Sequence, residues 1–460
     1  MSTITRKLIW LFCFLVTVSL LSSLAVRNSH RKIRALVLRA QIVLLIESIL
    51  SLGSIYIWRN ISQVYPAVGA GLIYEVVARE TRLTTSGSGQ CSSRPSRARP
   101  SYIKRRFQTL WKLFLFTIIV SAQLCYPLGV TYVSVEPYTI VLFCYICLGI
   151  HILLMTNITL YHLFGYVFQK IFCPETDPVL ANFVKVVVIV IVSGFLAFSA
   201  VSQAFYGPII KKVDVPINNL PKSFDGTRIV QVSDIHLGPT VGRSQLQRAI
   251  QLINSLNPDL VSITGDLVDS PVEYLSEAAL PLTQISPPYG TYFVTGNHEY
   301  YTGDVDAWIN YLKTLGVKCL HNENIQIHHP NKYEDYFFLA GTDDVQGEQF
   351  RYGDHGFKLE EALVGTNQEH PIILLAHRPA AAYTALSADR GINLVLSGHT
   401  HGGQFFPMVI SVYFANPYFS GLYQYSPSSY VYVSSGTFYW GIPMRLFSTP
   451  EVTLVTLHAT

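Results

Sequence analysis

Five short segments of the chain combine aspartate, asparagine and histidine at spacings that could bind divalent metal ions. Mixed imidazole, carboxylate and amide ligands suit manganese, iron or zinc better than magnesium or calcium, which prefer shells made only of oxygen. A carboxylate can also bridge two ions, because it has two oxygens with spare lone pairs. The segments are Asp234-Ile235-His236, Gly265-Asp266 with Asp269, Gly296-Asn297-His298-Glu299, Ala376-His377 and Gly398-His399-Thr400-His401.

Such a ligand set is suited to chemistry at phosphorus. Two ions roughly 3.5–4 Å apart can clamp an in-line displacement, generate hydroxide at neutral pH and neutralise charge on the phosphoryl oxygens. The leaving alkoxide needs a proton, which a histidine that binds no metal can supply. Each segment taken alone is weak, since Asp-x-His occurs by chance and a lone histidine after a strand is usually structural.

The five segments together predict a metal site more strongly than any one alone, because each follows a predicted strand of the same domain. Short β-branched runs alternate with amphipathic stretches, which predicts an α/β domain of about 250 residues. The predicted helices are Arg243–Leu256 and Asp304–Leu315, the second ending at Gly316. Open α/β sheets bind ligands outside the carboxyl ends of their strands. The predicted strands are Ile209–Val215, Arg228–Ser233, Leu260–Thr264, Thr291–Thr295, Tyr336–Ala340, Ile372–Leu375, Leu394–Leu396, Tyr430–Val433 and Glu451–Leu457, the last closing the sheet.

The composition divides the chain into two parts. Of the 460 residues 50% are hydrophobic and only 13% are charged, whereas soluble domains carry about 25% charged residues. Residues 1–206 contain 19 Lys+Arg against 6 Asp+Glu, and residues 207–460 contain 14 against 23, together with 11 of the 14 histidines. We therefore expect an all-α multi-pass transmembrane region at 1–206 and a polar domain at 207–460.

Five stretches of the first part are long enough to cross a bilayer, which takes about 20 apolar residues as helix. We interpret the first of them, Leu8–Val26, as a retained span and not as a cleaved signal peptide, because it is longer than the apolar region of most signal peptides and no Ala-x-Ala cleavage site follows it. Ile61–Tyr74 is shorter and is expected to be interfacial or re-entrant, and the Ser/Arg-rich loop 79–112 is expected to be disordered in its centre. The predicted spans are Leu8–Val26, Ala40–Trp58, Leu113–Val133, one within Tyr138–Gln169, and Val186–Tyr206.

The distribution of basic residues predicts the sidedness of the polar domain. With five spans, 14 Lys+Arg near the membrane share a side with the N-terminus and 7 lie on the other side. The excess marks the cytoplasmic face, which places the polar domain in the extracellular or lumenal space. Two features weigh against this prediction: the domain has no Asn-x-Ser/Thr sequon and, with Cys319 as its single cysteine, no internal disulfide.

The motif order D-x-H, G-D-x-x-D, G-N-H-[DE], H, G-H-x-H resembles the calcineurin-like metallophosphoesterase family over about Ile209 to His458. The resemblance implies a four-layer α/β/β/α sandwich with two divalent ions per subunit, manganese, iron or zinc. It implies that His298 is the general acid, and that Asp269 orients a ligand or His298 unless it is a plain surface residue. The implied ligands are Asp234, His236, Asp266 and His401 for one ion, and Asp266, Asn297, His377 and His399 for the other.

Departures from the family pattern narrow the substrate class. Protein phosphatases of the superfamily carry Arg where this chain has Ser270, which argues against a protein substrate. Nucleic acid is also disfavoured, because binding to its backbone depends on Lys and Arg and this domain is acidic. The expected function is hydrolysis of a phosphodiester, pyrophosphate or phosphomonoester bond. The alternative is a non-catalytic membrane scaffold or transporter, which the complete set of implied ligands disfavours.

The short link between the last span and the domain points to membrane lipids as partners. Few residues separate Tyr206 from the first predicted strand, so the domain is expected to lie close to the bilayer. The substrate is therefore expected to include lipid-linked phosphoesters, with soluble nucleotides and small phosphomonoesters left open, and no protein partner is indicated. The aromatic segment Phe405–Tyr423 is interpreted as core packing beneath the site, or alternatively as a lip that enters lipid.

Overall fold

The described residues before Gly207 are mostly helical. A computed structural model describes residues 31–63, 99–172 and 178–460. A π-helical segment, Tyr161–Gly165, joins the third helix to the fourth. The helices are α1 (Arg31–Ile61), α2 (Arg99–Thr131), α3 (Thr139–Leu160), α4 (Tyr166–Phe172) and α5 (Pro178–Tyr206).

Within residues 31–63, 99–172 and 178–460, three helical stretches are long and apolar enough to cross a membrane: Arg105–Thr131, Thr139–Phe168 and Val179–Tyr206. They correspond to the last three predicted spans, of which Leu113–Val133 runs two residues beyond the first stretch. The predicted span Ala40–Trp58 lies in α1, which is helical but is not one of the three. The structure does not describe Leu8–Val26, most of Ile61–Tyr74 or the part of the Ser/Arg-rich loop before Arg99. The rest of the predicted loop, residues 99–112, is not a loop but the first part of α2.

The described residues form two compact units, of which the first contains 43–63, 99–124, 147–172 and 178–197. Its helices are joined by polar contacts as well as apolar packing. Ser54 Oγ lies 3.1 Å from Nε2 of His151, and Asn157 Nδ2 donates to Ser193 Oγ at 2.9 Å. Short interhelical hydrogen bonds of this kind are common between transmembrane helices.

The second unit contains 31–42, 125–146 and 198–460 and is built on two six-stranded mixed sheets. The strand order is β1-β12-β2-β3-β4-β5 in the first sheet and β10-β11-β9-β8-β7-β6 in the second. This confirms the expected α/β domain. The strands are β1 (Ile209–Ile217), β2 (Arg228–Val232), β3 (Leu260–Thr264), β4 (Thr291–Val294), β5 (Val317–Cys319), β6 (Glu323–His329), β7 (Lys332–Gly341), β8 (Ile372–Leu375), β9 (Ile392–Ser397), β10 (Gly421–Ser426), β11 (Ser429–Val433) and β12 (Glu451–Ala459).

Helices are packed on the outer faces of the sheets. In β8, Ile373 and Leu375 pack into the apolar layer between the sheets, while Ile372 and Leu374 pack outward under helices. A strand that is buried on both faces has a nearly continuous apolar sequence. For this reason the sequence predicts β3 and β8. The helices of this unit are α6 (Arg243–Ser255), α7 (Val272–Ala279), α8 (Asn297–Thr302), α9 (Val305–Thr314), α10 (Gln346–Gln349), α11 (Leu359–Ala362), α12 (Pro379–Ser387) and α13 (Met408–Ala415).

The structure differs from the sequence predictions in four strands. β5, β6 and β10 were not predicted. All three are edge strands; β5 is only three residues long, and β6 and β10 have polar sequences (ENIQIHH and GLYQYS) without a long apolar run. β12 was expected to close the sheet, but it lies between β1 and β2, since β1 pairs with it in parallel on its outer side.

We expect Trp308→Ala to destabilise the second unit strongly. Trp308 is fully buried on α9, and its indole donates to Ser270 O at 2.9 Å. Its removal leaves a cavity, which costs about 3–5 kcal/mol of the free energy of unfolding. Thermal unfolding of the detergent-solubilised chain followed by circular dichroism measures the loss. The control is Tyr333→Ala, which removes an exposed aromatic ring, and equal stability of the two variants would contradict the prediction.

Candidate metal centre

The five predicted segments meet at the carboxyl ends of strands from both sheets. Three segments follow β2, β3 and β4, which are neighbours in the first sheet, and two follow β8 and β9, which are neighbours in the second. All these neighbouring pairs are parallel, so their carboxyl ends point the same way. The packing of the two sheets then brings the two sets of loops together.

The predicted ligands form overlapping groups in which the potential donor atoms lie within 4.8 Å of one another. In the first group, Nε2 of His401 lies 2.9 Å from Nε2 of His236 and 3.3 Å from Oδ1 of Asp234. In the second, Nε2 of His377 lies 3.1 Å from Oδ2 of Asp266 and 3.2 Å from Nδ1 of His399. The groups are Asp234, His236 and His401; Asp266, His377 and His399; and His236, Asp266 and His298.

Oxygen acceptors outside these groups orient two of the imidazoles. Nδ1 of His236 lies 2.8 Å from Oδ1 of Asp269, and Nδ1 of His377 lies 2.8 Å from the carbonyl of Thr264. An acceptor at Nδ1 keeps the proton there, so that Nε2 carries the lone pair that can bind a cation. Asp269 therefore contacts the predicted ligand His236 on the side away from the metal-binding nitrogen, which is the position expected of a residue that orients a ligand.

Backbone amides hold the two carboxylates. The N–H of His399 donates to both oxygens of Asp234, at 3.1 and 3.0 Å, and the N–H of His298 donates to Oδ1 of Asp266 at 2.8 Å. Each of these donors lies on a loop from a different strand. The carboxylates therefore connect the loops before any ion is considered.

The residues present fit a pair of divalent cations. The side-chain oxygen of Asn297 is buried and no hydrogen-bond donor reaches it, which is costly unless a cation occupies the space in front of it. Burial and the neighbouring imidazole of His377 lower the pKa of His399, and burial and His236 lower that of His401. Both side chains are therefore neutral, the form in which histidine binds metal.

His298 belongs to the third group, although it was predicted as the general acid and not as a metal ligand. Its Nδ1 is 2.8 Å from the same Asp269 oxygen that contacts His236, and its ring packs edge-on against Tyr301 and Trp440. Burial alone would lower the pKa of His298, but the carboxylates of Asp266 and Asp269 outweigh it and raise the pKa to about 9. A protonated imidazole at the edge of a metal centre can donate a proton.

The loops that carry the ligands have strained backbones. Five predicted site residues adopt left-handed conformations, which cost about 1–2 kcal/mol each for residues other than glycine. Strain of this kind is typical of functional sites, where the surrounding structure enforces it. The five are Asp234 (φ 55°), His236 (φ 54°), Asp266 (φ 51°), His399 (φ 72°) and His401 (φ 51°).

Glu299 is a buried residue to which the sequence assigned no role. Its carboxylate accepts hydrogen bonds from the backbone N–H groups of Asp266, Leu267, Val268 and Gly296, at distances from 2.6 to 3.2 Å. It therefore ties the loop after β3 to the loop after β4. Burial and the nearby Asp266 raise its pKa to about 7. The signal was available, since a glutamate three residues after a helix N-cap can return to the N-cap amide.

Arg445 was also missed, and no motif around it predicts its role. The guanidinium is fully buried and donates to the carbonyl groups of His401, Ser435, Gly436 and Phe438. Its backbone N–H donates to the carbonyl of Ala200 near the end of α5 at 2.9 Å. One side chain thus supports the His401 loop, while its backbone is attached to a helix that could cross a membrane.

The segment Phe405–Tyr423 differs from the core-packing interpretation. Phe405 is buried, but α13, which follows it, has no buried residue. Phe414 is 82% exposed, and Ile410 and Tyr413 are exposed as well. The apolar sequence of this helix therefore faces outward, a few residues after the turn His401–Gly403.

Comparison with known proteins identifies the family of this chain. Residues 227–403 match the family model described as calcineurin-like phosphoesterase. With the relatives below, this means that the chain belongs to the calcineurin-like metallophosphoesterase family, so that the buried His/Asp groups are its metal-binding groups.

The similarity to individual relatives extends to the N-terminal helices. The chain is 40% identical over 427 residues to the "Transmembrane protein with metallophosphoesterase domain" of Danio rerio, covering 92% of this chain and 90% of that protein. It is 37% identical over 430 residues to the protein of the same description from Bos taurus, with 92% and 90% covered. A metallophosphoesterase of Helicobacter pylori is 32% identical over 295 residues, which are 64% of this chain and 76% of that protein.

We expect Gly296→Ala to reduce the metal content of the protein. A Cβ at position 296 would collide with the Asp266 carboxylate and lie 2.5 Å from the Asp266 backbone nitrogen, so the central carboxylate must move. Metal per chain is measured by mass spectrometry after purification in detergent. Gly365→Ala is the control, because its φ of 79° also disfavours a side chain but no atom lies within 4 Å. Full loading of the Gly296→Ala protein would contradict the prediction.

Proposed function

We propose that this protein is a membrane-tethered phosphoesterase that uses two divalent ions to hydrolyse a phosphodiester, pyrophosphate or phosphomonoester bond, with His298 as the general acid. The proposal rests mainly on two neighbouring buried groups, one of Asp234, His236 and His401 and one of Asp266, His377 and His399. His298 lies next to them and contacts Asp269. The membership of the metallophosphoesterase family supports the same reaction class.

The proposed ligands divide into two sets that share Asp266. Bound divalent ions would activate water and neutralise charge on the phosphoryl oxygens. The mixed nitrogen and oxygen donors favour manganese, iron or zinc. One set consists of Asp234, His236, Asp266 and His401, and the other of Asp266, Asn297, His377 and His399.

The chain's own contribution to the reaction is proton donation and positioning. Because Nδ1 of His298 faces Asp269 at 2.8 Å, Nε2 is the atom left to protonate the leaving oxygen. Asp269 is a positioning residue, since it contacts both His298 and His236. The backbone N–H of His298 donates to Asp266. His298 therefore fixes the position of the proposed general acid relative to the carboxylate that the two ligand sets share.

The attachment of α5 supports a substrate at the membrane. The last turns of α5 pack within the catalytic unit: Gln203 donates to Thr449 Oγ1 at 3.1 Å, and the ring of Phe205 packs against Tyr439. Only Gly207 and Pro208 separate α5 from β1. The site is therefore tethered within a short distance of the end of a candidate span.

The proposal also includes the predicted architecture. We propose that the chain has five spans, that its second part is a four-layer α/β/β/α sandwich, and that this part lies in the extracellular or lumenal space.

The exposed helix α13 supports a lipid-linked phosphoester among the possible substrates. It exposes Ile410, Tyr413 and Phe414 shortly after the His401 turn. Apolar helices without buried residues are unfavourable in water and gain free energy by entering lipid. We propose that α13 contacts the bilayer or an acyl chain. A non-catalytic scaffold remains the second candidate, and the first test below distinguishes it.

We expect Asp266→Asn and His298→Gln to abolish or greatly reduce turnover by different routes. Loss of a general acid reduces kcat by about 10²- to 10⁴-fold. His298→Gln should keep its metal, whereas Asp266→Asn should bind less, because the shared carboxylate loses its charge. Hydrolysis of a generic aryl phosphodiester and metal content are measured on the same detergent-purified samples. Undiminished turnover in both variants would favour the scaffold.

We expect Phe414→Ser to reduce activity on phospholipid vesicles but not on a soluble aryl phosphodiester. Burying one phenylalanine side chain contributes about 1.5–3 kcal/mol, so the vesicle rate should fall roughly tenfold or more. Tyr333→Ser, which changes an exposed aromatic residue elsewhere, is the matched control. An equal effect of Phe414→Ser on both substrates, or none on vesicles, would end the lipid-contact proposal.

A further inference from the structure

A second concentration of histidine and aspartate lies in the catalytic unit and shares no residue with the candidate centre. His321 follows β5, Asp343 follows β7, and Asp354 and His355 lie between α10 and α11. His321, Asp354 and His355 each offer one donor atom, and these atoms lie within 4.8 Å of one another. Among the described residues it is the one such group outside the dinuclear centre.

The two imidazoles face one buried carboxylate oxygen. Oδ2 of Asp343 lies 2.5 Å from Nδ1 of His321 and 3.1 Å from Nδ1 of His355. With Nδ1 of each ring turned to Asp343, the Nε2 atoms are left for other partners. A carboxylate behind a histidine that presents Nε2 is the usual arrangement around metal ligands.

Two exposed carboxylates lie next to these Nε2 atoms. Oδ2 of Asp354 is 3.7 Å from Nε2 of His321, and Oδ1 of Asp306 is 3.1 Å from Nε2 of His355. The rings themselves are close, with centroids 4.3 Å apart. The two imidazole nitrogens and the Asp354 carboxylate form the convergent group, and the Asp306 carboxylate lies beside it. Imidazole and carboxylate are both ligand types that zinc binds.

The buried carboxylate places a negative charge behind both rings. Asp343 is 2% exposed, and its Oδ2 is paired with Nδ1 of His321 and with Nδ1 of His355. Burial of this charge is unfavourable unless positive charge lies close to it. A cation held at the Nε2 atoms of the two rings would supply such charge.

We propose that His321, His355 and Asp354, with Asp306 beside them, form a third metal site that takes a transition metal such as zinc. The site would fasten the 351–358 loop to the ends of β5 and β7. It also touches α8, because the Tyr300 hydroxyl lies 3.0 Å from Nδ1 of His355, and α8 carries Asn297 and His298. Its role is structural, and the inference does not depend on the proposed reaction.

The test is metal stoichiometry of the full chain in detergent. The protein is stripped with a chelator, reloaded with zinc alone, desalted and analysed by mass spectrometry. Wild-type protein should bind about three ions per chain, His321→Asn and Asp354→Asn about two. The matched control is His458→Asn, because His458 lies 3.2 Å from Asp214 and 3.5 Å from Asp225 but has no second imidazole in contact; it should bind as much as wild type.

A variant that lacks two predicted ligands of the dinuclear centre shows whether the third site binds zinc without that centre. In Asp266→Asn/His377→Ala protein, about one ion should remain and should disappear when His321→Asn is added. Circular dichroism of each variant shows whether it is folded, and the surface change Asp354→Asn tests the site where a histidine change unfolds the loop. Equal zinc content of wild type, His321→Asn and Asp354→Asn, or no ion in the dinuclear-centre variant, would overturn the proposal.

Discussion

The carboxylate of Asp266 is the group on which the rest of the site depends. One oxygen accepts the N–H of His298, and the other lies 3.1 Å from Nε2 of His377. These contacts join the loops after β3, β4 and β8, which belong to two different sheets. A negative charge this deeply buried is unfavourable unless cationic or hydrogen-bonding groups surround it. The surrounding imidazoles, amides and proposed ions meet that requirement together.

The scaffold contributes by holding unfavourable local structure in place. Five site residues have left-handed backbones, and no loop would keep them there alone. Glu299 binds four backbone amides across two loops, and Arg445 binds four carbonyl groups around the His401 turn. Both side chains use their charge on backbone groups rather than on substrate. Rigid support of this kind is what keeps a metal centre in a productive geometry.

The second unit contains the last turns of α5 as well as the two sheets. The end of α5 packs within it, and Ala200 accepts the backbone N–H of Arg445, whose guanidinium reaches the His401 carbonyl. Two hydrogen bonds thus connect a candidate membrane helix with a proposed metal ligand. The exposed apolar helix α13 follows the same turn. The end of α5, the His401 loop and the apolar surface of α13 are neighbours in the chain or in contact, and the proposal of a substrate at the bilayer rests on this arrangement.

The sequence by itself predicted the family and most of the strands. Motif order placed aspartates and histidines after strands, and the apolar runs of β3 and β8 are readable because both faces are buried. Only the tertiary structure decided what lies far apart in sequence. The position of β12 between β1 and β2, the outward face of α13, the carbonyl contacts of Arg445 and the pairing of His321 with His355 all depend on contacts between distant segments. Local periodicity carries no information about such contacts, because it reports which residues are buried but not which partner buries them.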